Sequence, residues 1–242
     1  MPLEAPTSLA LVVPCFRHAA YLSDLLESIV SQTREPDEVI FVDDASPDAT
    51  SEVLSAFVDK RQGLDRGRYR ILVNDRNLGQ AASLNRAIST ASSELIMVAN
   101  DDDYLMHDAI QSMLALFGEN RGVALIGAHC IYFAGREALA AAPKLTSDYG
   151  PPGLPLVIHR PEDVRRYRRY NDLNMTHSGS CYFRTAWEAV GGYRPVKESR
   201  VVPFSDRDFQ LRVNAVWPVA VAYQTPFSLW RTDASVDEGL NS

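Results

Sequence analysis

"LALVVPCFRHAAYLSDLLESIVSQTREPDEVIFVDDASPDAT", Leu9 to Thr50, places two β-branched apolar runs on either side of one segment with helical period. The first run, Leu9 to Val13, reads as a strand. Tyr21, Leu22, Leu25, Leu26, Ile29 and Val30 then fall on one face at the spacing of an amphipathic helix, which predicts a helix over Tyr21 to Gln32. The second run, Glu38 to Val42, reads as a second strand. Strand, helix and strand in this order are the repeating unit of a mostly parallel sheet covered by helices.

The same alternation continues. Ser46 and Pro47 have the chemistry of an N-cap and a first-turn proline for a helix running to about Val58. Tyr69 to Val73 reads as strand three, Gln80 to Ala91 as a helix, and Glu94 to Ala99 as strand four. A helix near Ala109 to Phe117 and a strand near Val123 to Ala128 follow. Regularity then fails in "AAPKLTSDYGPPGLPLVIHRP", Ala141 to Pro161, whose prolines and glycines predict a loop region over the sheet. The expectation is one α/β domain with a Rossmann-like nucleotide-binding half, residues 1–128, and a second half, residues 129–242.

Composition is consistent with this. A chain of 242 residues with 46% hydrophobic content can bury a large core without covalent staples. Its three cysteines, Cys15, Cys130 and Cys181, are far apart and form no Cys-x-x-Cys pair, which points away from a disulfide framework or zinc knuckle and toward a reducing, cytoplasmic setting. No apolar run reaches the roughly 18 residues of a transmembrane segment, and the N-terminus lacks the basic region of a signal peptide. The net charge of −7 argues against a nucleic-acid partner. The basic run "RRYRR", Arg165 to Arg169, is open to two readings, a solvated helix face or a peripheral contact with an anionic membrane surface.

Two acidic clusters end two of the expected strands: Asp43 and Asp44 after strand two, and Asp101, Asp102 and Asp103 in "MVANDDDYL", Met97 to Leu105, after strand four. Such a run can be simply a solvated loop. In open α/β sheets, however, ligands bind at the carboxyl ends of the strands where chain order reverses, so the two clusters can converge there. Crowded carboxylates suit a divalent cation, Mg²⁺ or Mn²⁺, and Mg²⁺ commonly combines one or two carboxylates with phosphate oxygens. That chemistry implies a phosphate-bearing substrate. "NLGQAAS", Asn77 to Ser83, is not a dinucleotide fingerprint, there is no Walker loop, and the histidines form no zinc-protease pair. A phosphohydrolase with an Asp nucleophile would carry its acids after the first strand, whereas this triplet follows the fourth.

The segment from Leu11 to Thr50 resembles the opening of family 2 glycosyltransferases: a strand, Pro-x-aromatic-Asn, a Tyr-Leu helix ending in Ser-x-x-x-Gln-Thr, and a strand closing on Asp-Asp-x-Ser. "NLGQAASLNRAI" is similar to the next block of that family, "ANDDDYL" to its DxD motif, and "SGSCYFRTAWEAVGGYRPV" followed by "SDRDFQLRV" to its acceptor-side block. Four motifs in order are far more specific than any one alone. The resemblance implies a GT-A type fold with helices on both faces of the sheet. It also implies inverting transfer of a sugar from a nucleotide-diphosphate sugar, UDP in the first instance, to a hydroxyl acceptor on a sugar, a lipid-linked carrier or another molecule, with Mn²⁺ or Mg²⁺ as cofactor.

Carried over residue by residue, the resemblance places Pro14 and Phe16 under the nucleobase, with Phe16 stacking on it, although a half-buried core aromatic explains Phe16 equally. Asp44 corresponds to the acid that accepts a hydrogen bond from the base, and Asp101 to the one facing a ribose hydroxyl. Asp43 is open to a structural reading, bonding the backbone around Ser46. Asp102 corresponds to the closing acid of DxD that binds the metal, with Asp103 assisting. Asp206 corresponds to the general base, with Ser205 standing where Glu is usual and also suited to capping the helix. Asn77 and Asn85 match motif positions but have local bonding roles available. Asp233 stands where the family carries a metal-approaching His, and Arg231 is open to a diphosphate contact or a surface salt bridge. Arg17 departs from the family Asn. With Ser205, it keeps open an alternative, a non-catalytic module that binds a nucleotide sugar or a partner.

Overall fold

The computed structural model describes residues 5–61, 67–129, 131–139, 156–167, 173–198, 202–223 and 225–234. Among them no helix is long and apolar enough to cross a membrane. Strands β1 (Leu9–Cys15), β2 (Glu38–Asp43), β3 (Tyr69–Val73) and β4 (Leu95–Val98) are parallel neighbours in the order β3-β2-β1-β4. All seven residues of β1 are buried, as a central strand covered on both faces requires. The crossovers are α1 (Leu22–Val30), α2 (Thr50–Arg61) and α3 (Gln80–Ser89). Chain order reverses between β1 and β4, so the crevice of the fold opens at the carboxyl ends of β1, β2 and β4.

The remaining strands extend the same sheet. After β5 (Tyr104–Leu105), α4 (Ala109–Glu119), β6 (Leu125–Ala128), β7 (Ile131–Phe133), α5 (Arg136–Leu139), β8 (Leu156–His159) and α6 (Pro161–Val164), strand β9 (Cys181–Phe183) enters antiparallel between β4 and β6. Helices α7 (Arg184–Val190) and α8 (Ser205–Asn214) follow, and β10 (Val219–Ala222) pairs parallel with β6 and antiparallel with β8 at the edge. One eight-stranded sheet therefore takes strands from both sides of residue 128. A second sheet, β5-β11-β7, contains β11 (Ser228–Arg231) and stands over the crevice side of the acidic triplet, whose chain leads directly into β5.

Two local expectations are corrected. The second helix starts at Thr50, not at Ser46: Ala45 has φ +58°, the Ser46 N–H is taken by Asp43 Oδ1 at 3.0 Å, and Asp48 Oδ1 accepts from the Thr50 N–H at 3.2 Å. A side-chain-bonded turn thus replaces the first helical turn, the usual competition offered by Asp and Ser. The expected loop after Ala141 lies largely outside the described residues, and its last part, Leu156–His159, is the edge strand β8. Of the basic run, Arg168 and Arg169 also lie outside them, while Arg166 stands 3.6 Å from Asp163. Cys15 and Cys181 are buried free thiols.

Asn85 ties α3 to the second half of the chain. Its Oδ1 accepts from Trp187 Nε1 at 3.0 Å and from the Tyr193 N–H at 2.8 Å, and its Nδ2 donates to the Tyr193 carbonyl at 2.8 Å. Gly192, at φ +70°, allows this close approach, because a Cβ there would come within 2.6 Å of Asn85 Oδ1.

Candidate active site

Pro14, Phe16, His18, Asp44, Gln80 and Asp101 line one cleft at the carboxyl ends of β1, β2 and β4. Acids from two separate strand ends therefore do meet. Asp44 is 3% exposed, and its carboxylate accepts from Asn74 Nδ2 (2.6 Å), the Leu78 N–H (2.8 Å) and the Gly79 N–H (2.8 Å). Those bonds use three of roughly four acceptor positions and hold the turn before α3, where Gly79 has φ +84°. Asp43 bonds the Ser46 N–H and the Ser51 hydroxyl and so secures the loop after β2. Asn77 likewise acts locally, accepting from the Gly79 N–H at 3.1 Å.

Phe16 is half-buried, with the Arg17 guanidinium carbon 6.0 Å from its ring centroid. Arg17 itself has φ +62°, in the left-handed region that side chains other than Asn, Asp and Gly enter at a cost. This gives a backbone reason for Asn at the corresponding position of the motif. The Arg17 N–H donates to Ser46 Oγ at 3.2 Å, joining the loops after β1 and β2.

The acidic triplet splits three ways. Asp101 Oδ2 accepts from the Phe16 N–H at 2.9 Å and Oδ1 lies 2.8 Å from His18 Nδ1, so this carboxylate fastens the loop after β1 to the end of β4. Asp103, 1% exposed, accepts from the Arg231 N–H and from Asn100 Nδ2, both at 3.0 Å. Burial, reinforced by the neighbouring Asp102 charge, pushes its carboxyl up to about 7. Asp102 is half-buried, and burial together with Asp101 raises its carboxyl as well. Ligand atoms of His18, Asp101 and Asp102 all lie within 4.8 Å of one another, the one such group found among the described residues. Two carboxylates with one imidazole can hold a divalent cation, and the raised Asp102 carboxyl is what a nearby cation would relieve.

Asp206 lies in the first turn of α8 and lines a second cavity of about 310 Å³ together with Gln80, Asn100, Asp103, His177 and Trp230. The capping expectation for Ser205 is corrected: the N-cap is Phe204, with no side-chain cap, and Ser205 is the first helical residue. The helix dipole still favours the Asp206 carboxylate at this end. His177 is half-buried in the wall of that cavity. Its burial lowers the imidazole's affinity for a proton against the opposing Asp206 charge, so it stays neutral, with Nε2 3.1 Å from the Tyr193 hydroxyl.

Arg231 does not form a surface salt bridge. It is 5% exposed, pairs with Asp24, and donates from Nε to the Asp102 carbonyl at 2.9 Å. Asp233 is absent from the carboxylate group above, and its Oδ2 accepts from the Gly135 N–H at 3.1 Å. Residues that motif reading passed over are His18, Gln80 and His177. Gln80 borders both the strand-end cleft and the Asp206 cavity, and its Nε2 lies 3.4 Å from Asn100 Oδ1. Its position one residue after the Asn-x-Gly turn, opening a helix toward the crevice, was the available signal.

Comparison with known proteins bears on the family and the fold. Residues 10–188 match the model of glycosyl transferase family 2. Glycosyltransferase GlyG of Streptococcus pneumoniae is 30% identical over 124 residues, which cover 51% of this chain and 40% of GlyG. This chain thus matches less than half the length of that relative. The crystal structure of S. aureus TarS 1-349 in complex with UDP-GlcNAc superposes with a TM-score of 0.69 at 15% identity, covering 98% of this chain and 61% of the other. Mannosyltransferase PcManGT from Pyrobaculum calidifontis, in complex with GDP-Man and Mn²⁺, gives 0.64 at 16% identity, with 98% and 61% covered. At these identities the superpositions establish the fold, which is the GT-A type. With the family model spanning most of the chain and that fold beneath it, the chain belongs to glycosyl transferase family 2.

Proposed function

We propose that the chain transfers a sugar from a nucleotide-diphosphate sugar, UDP-linked, to an acceptor hydroxyl with inversion at the anomeric carbon. The observation that carries this reading is that Gln80 borders both the strand-end cleft and the cavity holding Asp206, so donor and acceptor can lie side by side. Residues 1–128 supply the donor half and residues 129–242 the acceptor half, with the solved neighbours bound to UDP-GlcNAc and GDP-Man supporting the donor class.

Phe16 and Pro14 form the apolar wall on which the base rests, and the remaining acceptor position of Asp44 receives a base N–H. Asp101, already bonded to Phe16 and His18, presents its residual lone pairs to a ribose hydroxyl. Asp102 is the principal metal ligand, with His18 and Asp101 beside it, and Asp103 supports the loop from within. A divalent ion there supplies positive charge against the leaving diphosphate. Asp206 takes the proton of the acceptor hydroxyl as its oxygen attacks, and His177, kept neutral, adds no positive charge that would lower the basicity of that carboxylate.

A thermal-shift panel of UDP-, GDP-, dTDP- and CDP-sugars with and without Mn²⁺, paired with an assay for released nucleoside diphosphate, tests the reading. The expected result is metal-dependent stabilisation by one nucleotide class together with turnover. Stabilisation without any turnover, even slow donor hydrolysis, would assign the chain to the non-catalytic binding class instead.

A further inference from the structure

The three-stranded sheet presents two faces of opposite character. On β11 and β7, Leu229, Arg231 and Phe133 point inward and are 0%, 5% and 4% exposed, while Trp230 and Tyr132 are 48% and 61% exposed. Parallel register sets Trp230 directly beside Tyr132, with ring centroids 5.5 Å apart and planes inclined by 31°. Both rings line the cavity that holds Asp206. Large aromatic faces left to water inside a cavity, rather than scattered over a surface, mark a binding wall.

Apart from Met175, the rest of that cavity is polar: Gln80, Asn100, Asn174, Thr176 and His177 supply neutral hydrogen-bonding groups. Its carboxylates, Asp103 and Asp206, give it a negative lean, and its guanidinium, Arg207, already donates to the Met175 carbonyl at 3.2 Å. An apolar platform facing neutral donors and acceptors matches one chemical class closely. A pyranose ring has a C–H face that packs on an aromatic face and a hydroxyl rim that hydrogen-bonds around it. A polyol phosphate or a free acid would meet two carboxylates against the one guanidinium of Arg207.

We infer that Trp230 and Tyr132 form the acceptor platform, and that the acceptor is a saccharide whose uncharged pyranose ring stacks on them with a hydroxyl turned to Asp206. This rests on the transferase reading above and narrows its acceptor class. The platform acts on acceptor binding, separately from the strand-end cleft.

Saturation-transfer NMR tests it with four methyl pyranosides, those of β-glucose, β-galactose, α-mannose and N-acetyl-β-glucosamine, in the presence of UDP and Mn²⁺. At least one should receive saturation concentrated on one ring face. That signal should fall about tenfold in Trp230→Ala and in Tyr132→Ala, the scale of a lost aromatic contact, and persist in Trp230→Phe. No signal from any of the four, a signal unchanged in both alanine variants, or transfer to ribitol phosphate alone would overturn the inference. Stabilisation by UDP-sugars, read separately on the wild type, reports on the donor reading, so failure of one is distinguishable from failure of the other.

Discussion

Arg231 and Asp24, 207 positions apart in the chain, form an ion pair whose side chains are 3% and 8% exposed. The same guanidinium lies over the rings of Tyr21 and Phe133, 4.9 Å and 4.6 Å from their centroids, and its residue bonds the Asp102 carbonyl and the Asp103 carboxylate. One buried cation therefore clamps the acidic loop after β4 onto α1. Asp24→Ala leaves that buried cation only its longer pair with Asp233, 3.5 Å away, and is expected to cost up to about 3 to 5 kcal/mol in urea denaturation. A double variant that also replaces Arg231 by Met should recover part of the loss. A single-variant cost below about 1 kcal/mol would show the pair to be dispensable.

Asp206→Asn keeps the shape of the side chain and removes its basicity. Sugar transfer should fall by about 10²-fold or more while the UDP-sugar thermal shift is retained. Unchanged transfer would take Asp206 out of the base role.

His18→Ala removes the imidazole that stands against Asp101 beside Asp102. Mn²⁺ affinity, measured by titration calorimetry or by the Mn²⁺ resonance signal, should weaken by about 10-fold or more, the scale seen when a ligand or its supporting partner is lost. An unaltered affinity would confine His18 to loop packing.

Arg17→Gly relieves a left-handed backbone at φ +62°. The variant should be more stable by about 1 kcal/mol, which for a chain of this size is a rise in Tm of roughly 2–4 °C by calorimetry. Arg17→Asn should shift Tm the same way by less. A fall in Tm in both would mean that the Arg17 side chain contributes more than its backbone costs.

Glu38 gives a pH dependence with a definite sign. Partial burial alone would raise its carboxyl, but hydrogen bonds from the hydroxyls and N–H groups of Ser93 and Ser92 outweigh that and hold it below its ordinary value of 4.5. A depressed folded-state value means stability that is present above the unfolded value and lost as pH falls through the folded one. The stability gap between wild type and Glu38→Gln should thus be widest near neutral pH and close on acidification below 4.5, as read by denaturant midpoints. A gap constant down to pH 3 would assign it to packing.

Local pattern was enough for the first half of the fold. The apolar runs at Leu9–Cys15, Glu38–Asp43 and Leu95–Val98 and the one-sided helix at Leu22–Val30 lie where periodicity puts them, because each buries its face through contacts its own spacing dictates. The acids at the ends of β2 and β4 were legible for the same reason: where a strand ends follows from its own residues. The strand β9, the small sheet and the start of α2 were not legible, since each depends on partners distant in sequence or on a side-chain bond that outcompetes a helix turn.

What the sequence by itself determined is the inventory: a parallel α/β frame, acids at two strand ends, and a further acid opening a late helix. What only the tertiary structure decided is how the inventory is distributed. It turned Asp103 inward to Arg231, brought His18 to Asp101 and Asp102, put Gln80 between two cavities, and set Trp230 beside Tyr132. Residue order specifies which groups a strand or helix presents, but hydrogen-bond and ring partners are chosen by the closure of the sheet, which no local window of the chain contains.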